Sequence, residues 1–397
     1  MDTESRRRYP LIARLGVVGD RRTAAVIDAH GTVQWFCLPS YDGSPAFGGL
    51  LDAERGGCWR LGPASGSAGN QCYLPDNNVQ VTDWESGEGE LELTDAMLWP
   101  DDRRPGRDEG RRVLLRRLCA RRGAVSCAMQ LRPRDDFGSG PLASPVSDGW
   151  ELRLGGRTLH LWTSQPVEPT DDGMLARFIL AEREEFWAVA GLDNDPAAWS
   201  VEAAGEALQD TIRYWRERSG RYRFRGPRRD AVIRSALAIE LLSFAPTGAV
   251  VAAPTTSLPE RLGGSRNYDY RYAWIRDASM AMATLSVLGD FAGAERYLSW
   301  LAHLDSATEM PLQVLYRVDG GTHVEQHSRS DLAGYCDSRP VLFGNHAFGQ
   351  RQIDCFGYLA DCAVIYLHQG GRWQPEYWRL ISRIADYTVE NWRKPGN

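Results

Sequence analysis

The sequence predicts a fold in two parts, an antiparallel β-sandwich followed by helical hairpins. Strand-like segments recur about every ten residues up to roughly Asn194, with Gly, Asp and Pro between them. From Arg228 onward, apolar residues recur at helical spacing instead. Between the two patterns, residues 196–220 read as one helix that ends in a basic turn and a glycine. The expected division is a sandwich over 1–195, a linker helix within 196–227, and a helical part over 228–397.

Each element has its own signature. TAAVIDAHGTVQWFCLP (23–39) gives two strands around a His30-Gly31 turn. Further strand candidates are NNVQVTDW, GELELTDAML, RVLLRRLCA, VSCAMQLRP, WELRLGG, RTLHLWTS and RFILAEREEFWAVAGL. The stretch 101–110 is polar and reads as an exposed loop. In the helical part, DAVIRSALAIELLSF carries apolar residues at 232, 233, 236, 237, 241 and 244, an amphipathic stripe. Later helices are expected over about 277–289, 291–304, 347–368 and 376–394. On the helix over 347–368 the expected core stripe is Ile353, Phe356, Ala360, Ala363 and Leu367. Asp354, Tyr358 and Asp361 share a different face, which either lines a site or is solvated.

Composition narrows the function classes. With 43% hydrophobic and 25% charged residues in 397, the chain is globular and can bury large cores. A net charge of −6, with arginine interspersed among acids, gives no electrostatic case for nucleic acid. No stretch has the apolar length of a membrane span. The eight cysteines include no CxxC pair, and most sit in apolar or strand-like settings such as WFCL and DCAVIYL, so reduced, buried thiols and a cytoplasmic location are expected. Arg6 to Arg8 are not followed by a secretory apolar run. GVVGD lacks the glycine spacing and GK[ST] ending of a phosphate loop.

The chemistry concentrates in residues 257–279, SLPERLGGSRNYDYRYAWIRDAS. Three tyrosines, a tryptophan, four arginines and two aspartates fall in that one segment. Aromatic rings accept the C–H faces of a sugar, and planar charged groups take its hydroxyls in pairs. Arg276 beside Asp277 favours the charged carboxylate, an acceptor rather than a proton donor. The pair reads either as a clamp on hydroxyls or as a buried structural ion pair under the tyrosine-rich loop.

The run APTTSLPE…GG.RNYDYRYAWIRDAS resembles the signature segment of glycoside hydrolase family 15, the glucoamylase and bacterial trehalase family. GVVGDRRTAAVIDAHGTVQWFCLPSYDGSPAFGGLLD resembles the N-terminal sandwich of its bacterial members. The resemblance implies an (α/α)6 barrel after the sandwich. At roughly 27 residues per helix and loop, 228–397 holds about half of its twelve helices. It also implies that Arg276 and Asp277 bind the terminal glucose, that Tyr270 lies beside the developing oxocarbenium ion, and that Trp274 walls the pocket.

A second informative stretch covers 321–354. His323 and His327 are spaced i, i+4, as two ligands on a helix would be, but glycines, Pro340 and the lack of a third ligand argue against a metal. GNHAFGQRQID resembles the family motif that sets a Gln and an Asp near the sugar, here Gln352 and Asp354. Leu342 stands where the family often has an arginine. There is no GxSxG elbow, Rossmann fingerprint or HExxH.

The implied reaction is inverting hydrolysis of a terminal α-glucosidic bond, with acid and base carboxylates roughly 6.5–9.5 Å apart. Trehalose, maltooligosaccharides and isomaltose-type sugars are all open as substrates, and no cofactor is implied. WRKPGN (392–397) resembles the first part of the family's acid-bearing element, which puts the general acid just beyond Asn397 and no catalytic carboxylate within the chain. Glu260 and Glu325 have no neighbourhood that would raise a carboxyl pKa. The alternative is a sugar-binding or structural fragment without chemistry.

Overall fold

The computed structural model describes residues 8–99, 112–192, 194–306 and 312–394. The expected loop over 101–110 lies outside them, as do Arg6, Arg7 and residues 395–397 of the WRKPGN element.

Two eight-stranded antiparallel sheets make the first part. One orders Leu15–Gly19, Ala24–Asp28, Thr32–Leu38, Cys58–Pro63, Val125–Arg132, Gly173–Leu180 and Glu168–Thr170, with Ser44–Phe47 paired to the third. The other orders Leu142–Val146, Gly149–Leu154, Arg157–Thr163, Glu185–Gly191, Val113–Gly123, Gly89–Met97, Gln80–Glu85 and Asn70–Tyr73. Alternate residues such as Leu61, Leu93, Leu118, Met129 and Leu161 point inward and are fully buried. The His30-Gly31 turn forms as expected, with Gly31 at φ 67. RFILAEREEFWAVAGL is two strands in two different sheets, because Arg183 takes a left-handed φ of 69 and turns the chain. Arg116, in the middle of RVLLRRLCA, is wholly buried, and its Nε donates to Asp95 Oδ1 at 2.7 Å.

The linker region starts with a 3-10 turn, Pro196–Ala198, before helix α1 (Val201–Ser219). Ser200 caps α1 by accepting from the Ala203 N–H, and Arg216 and Arg218 sit in its last turn. Five helices follow among the described residues: α2 (Arg229–Leu241), α3 (Ile275–Val287), α4 (Phe291–Ser306), α5 (Asp354–His368) and α6 (Pro375–Asn391). Their common core includes Leu237, Met282, Leu298, Leu359 and Leu380. This is a helical-hairpin arrangement, part of an (α/α)6 barrel after a sandwich.

Helix α5 departs from expectation. Residues 346–349 form a separate 3-10 turn, and the α-helix starts only at Asp354. Its buried face is Cys355, Phe356, Leu359, Cys362, Ala363 and Tyr366, while Leu367 is exposed. Phe356 and Ala363 are buried as expected, but Cys355, Cys362 and Tyr366 supply the rest of the packing surface, so the stripe is rotated around the helix from the expected one.

The two parts are joined through buried polar contacts. Asn77 and Asn78 donate to the carbonyls of Ile212 and Leu237 at 2.9 and 3.1 Å. The Trp35 indole donates to Pro254 O at 2.8 Å. All eight cysteines are free; six are buried, Cys58 is half-buried and Cys72 exposed. No helix among the described residues is long and apolar enough to cross a membrane.

Candidate active site

Residues 254–272 are mostly irregular, and side chains fix their path. The centre is Asp269, fully buried. Arg271 donates to it twice, Nε to Oδ1 at 2.9 Å and Nη2 to Oδ2 at 2.7 Å. Gly344 N donates to its Oδ2 at 3.1 Å, and Asn345 Nδ2 donates to its carbonyl at 3.0 Å. Arg271 Nη1 reaches the Gly43 carbonyl in the sandwich at 2.8 Å, and its guanidinium lies over the Phe343 ring. Ser257 Oγ both donates to Leu342 O and accepts from Leu342 N, each at 2.7 Å. Asp269 and Arg271 thus tie the tyrosine-rich segment to residues 342–345 and to the sandwich. They form a buried structural ion pair of the kind considered for Arg276 and Asp277, a few residues earlier in the same segment.

Arg276 and Asp277 are different. Both side chains are about one-third exposed, 32% and 37%. They occupy the first turn of α3, where free backbone N–H groups and the helix dipole suit a carboxylate. Arg276 Nε donates to Asp277 Oδ1 at 3.2 Å, and Arg276 Nη1 donates to Gln352 Oε1 at 3.2 Å. Gln352 is held in turn by donating to Gln350 Oε1 at 2.8 Å. The guanidinium stands over the Trp274 ring, 5.5 Å from its centroid.

Trp274 sits between a two-residue strand and the helix. Ala273–Trp274 pairs with Leu315–Tyr316, and Trp274 is the N-cap residue of α3. Its ring is 6% exposed, and its indole N–H has no acceptor among the described residues. Tyr270 packs 6.2 Å from Trp274, and Tyr268 packs edge-on to Tyr270. Burial pushes the Tyr270 hydroxyl pKa up, and the charges of Glu260 and Asp277 add to that rise. Tyr270, Trp274, Arg276, Asp277 and Gln352 therefore form one cluster.

Asp354 stands apart from that network. It is exposed in the first turn of α5, its side chain making no hydrogen bond or ion pair among the described residues. Glu260 and Glu325 are exposed too, at 52% and 77% of their side chains. His323 and His327 do not share a helix, since His327 lies in a two-residue strand paired with buried Leu342–Phe343. Among the described residues no three His, Cys, Asp or Glu side chains group as metal ligands would. Sequence reasoning missed Phe348, which, like Tyr270, packs against the buried cluster that holds Trp274, and which meets His323 edge-on. Its signal was present in GNHAFGQ, where only the polar residues were read.

Residues 226–397 match the sequence model of glycosyl hydrolases family 15, and 5–161 match that of the trehalase-like N-terminal domain. The chain is a relative of glycoside hydrolase family 15, of the glucoamylase and trehalase type. A trehalase of Mycolicibacterium smegmatis is 33% identical over 98% of this chain and 62% of its own length. One of Mycobacterium tuberculosis is 32% identical over 98% and 60%. One of Thermoplasma volcanium is 28% identical over 98% and 62%. The chain spans about three fifths of the length of these curated relatives. Among solved structures, a bacterial glucoamylase complexed with acarbose aligns with TM-score 0.57 at 13% identity, over 96% of this chain and 60% of that one. That likeness shows a shared fold.

Proposed function

We propose that the chain belongs to an inverting glycoside hydrolase acting on terminal α-glucosidic bonds. The observation that carries this reading is an accessible arginine–carboxylate pair set against a tryptophan whose indole N–H lacks an acceptor. A sugar ring would lie on Trp274 and Tyr270. Its hydroxyls would donate to Asp277 and accept from Arg276 and the Trp274 N–H. Gln352 positions the guanidinium, and Asp354 serves the rim. Residues 228–397 would hold the sugar, and 1–195 would brace the loop over 254–272 across the linker 196–227. The trehalases among its relatives support trehalose as the first substrate to test.

A second reading applies to residues 1–397 by themselves, namely sugar binding without turnover. It is favoured by the exposure of Glu260 and Glu325, since a general acid needs a burial that raises its pKa. We assign the acid and base to carboxylates other than these two. An active form of the protein, given trehalose, should release β-glucose and α-glucose together, one from each half. With maltose, the glucose from the non-reducing end should appear first as β. Proton NMR of the anomeric signals within minutes tests this, and an initial α excess from maltose would refute inversion.

A further inference from the structure

Residues 39–43 form the turn between the paired strands Thr32–Leu38 and Ser44–Phe47, and three consecutive residues of this turn engage the helical part. Tyr41 is buried in the core shared by the helices, edge-on to Phe244, and its hydroxyl donates to the Leu241 carbonyl. The Gly43 carbonyl accepts from Arg271, the contact that braces the tyrosine-rich segment. Between them, Asp42 meets Arg317, whose Nη2 lies 3.2 Å from Asp42 Oδ2.

The Asp42 side chain is wholly out of water, while that of Arg317 is 39% exposed. Ser40 Oγ donates to Asp42 Oδ1 at 2.7 Å, and Oδ2 makes no aligned hydrogen bond, so the Arg317 guanidinium is the charge that offsets this buried carboxylate. A buried charge is costly unless it is paired, and the pairing fixes the arginine. Arg317 directly follows the segment that runs beside the sugar cluster. Val314 O accepts from Ile275 N at 3.0 Å, and Leu315 and Tyr316 pair with Trp274 and Ala273. A ladder of two residues is weak by itself, so its anchors decide where it sits. Thr247 holds the far side of the turn by donating to Val318 O at 2.7 Å, from the helical part. Asp42 supplies the sandwich's half of the grip.

We propose that Asp42 is a positioning residue for the sugar cluster: through Arg317 it holds the strand that places the Trp274 wall, so the sandwich sets that wall's position. The consequence for substrate rests on the reading that Trp274 carries a sugar ring, whereas the mechanical tie does not. A displaced wall weakens contacts to the bound sugar in the ground state and the transition state alike, so KM rises while kcat is nearly kept. A loss of folded protein would do the reverse, lowering apparent kcat at constant KM.

The test is fluorine NMR of the full chain labelled with 5-fluorotryptophan, with the Trp274 signal assigned by its loss in Trp274→Phe. Asp42→Asn keeps the shape and the Ser40 contact but removes the charge, and it is expected to move the Trp274 signal by more than its linewidth. Trp187, in the sandwich, and Trp378, on α6, should stay in place. Arg317→Gln should move the same signal, and the double variant, which leaves no unpaired charge and guards against a misfolded single variant, should move it no further than either single change. In an active form of the protein, Asp42→Asn should raise KM for trehalose about threefold or more with kcat within about twofold of the parent. A Trp274 signal that stays put, or displacements that simply add in the double variant, would overturn the proposal whatever the sugar does. A displaced signal with unchanged KM would support the tie and overturn instead the reading that Trp274 walls the sugar.

Discussion

Two Arg–Asp pairs lie within a dozen residues of each other, and burial predicts opposite consequences for breaking them. Replacing Arg271 by Met removes the cation from Asp269, whose side chain is wholly buried. The carboxylate would keep two backbone donors, Arg271 N and Gly344 N, each at 3.1 Å. Removing one partner of such a buried pair costs about 3–5 kcal/mol. At roughly 2–4 °C per kcal/mol for a domain of this size, the melting midpoint should fall by about 6–20 °C. Asp277→Asn breaks a pair that is one-third exposed on both sides, worth at most about 1 kcal/mol. Its midpoint should move by less than about 4 °C. Differential scanning fluorimetry of the parent and the two variants, at one protein concentration and pH, makes the comparison. If Arg271→Met melts within about 2 °C of the parent, or if Asp277→Asn costs as much, the division into a structural pair and a functional pair is wrong.

In an active form of the protein, Asp277→Asn should lower kcat/KM about ten- to a hundredfold while leaving the circular-dichroism spectrum intact, because one charge-assisted contact is worth about 1.5–3 kcal/mol; activity within twofold of the parent would remove Asp277 from the clamp. Burial pushes the thiols of Cys127, Cys355 and Cys362 up to about 12, so at pH 8 only about one part in ten thousand is thiolate. Ellman's reagent should therefore meet Cys72 first and reach those three only on unfolding, and several fast thiols in the native chain would contradict the described packing.

Much of the candidate cluster was legible because its residues are close in sequence. Tyr270, Trp274, Arg276 and Asp277 fall within eight residues, and the strand-to-helix junction at Trp274 brings them to one place without help from distant chain. Gln352 could be read only through family likeness, and the structure brings it to Arg276. Asp354 was read the same way but lies outside that network, because the helix begins at Asp354 and the residue remains on its exposed first turn. The long-range role of Asp269 and Arg271 was not legible. Nothing in NYDYRYAW distinguishes an aspartate that will be buried against Gly344 and Asn345 from one that will face a ligand.

The sequence by itself determined the order of the two parts, the alternation of the strands, the positions of most helices and the family. The elements depend on periodicity and local pattern, which are set by the geometry of one strand or one helix turn, and the family on the resemblance of its signature segment. Only the tertiary structure decided which arginine–aspartate pair is buried, which face of α5 packs, and that Asp42 of the sandwich is buried against Arg317. Those outcomes depend on what the rest of the chain removes from water. Burial decides whether a charge pair acts as a structural tie or remains open to a ligand, and no residue carries its own burial in its identity.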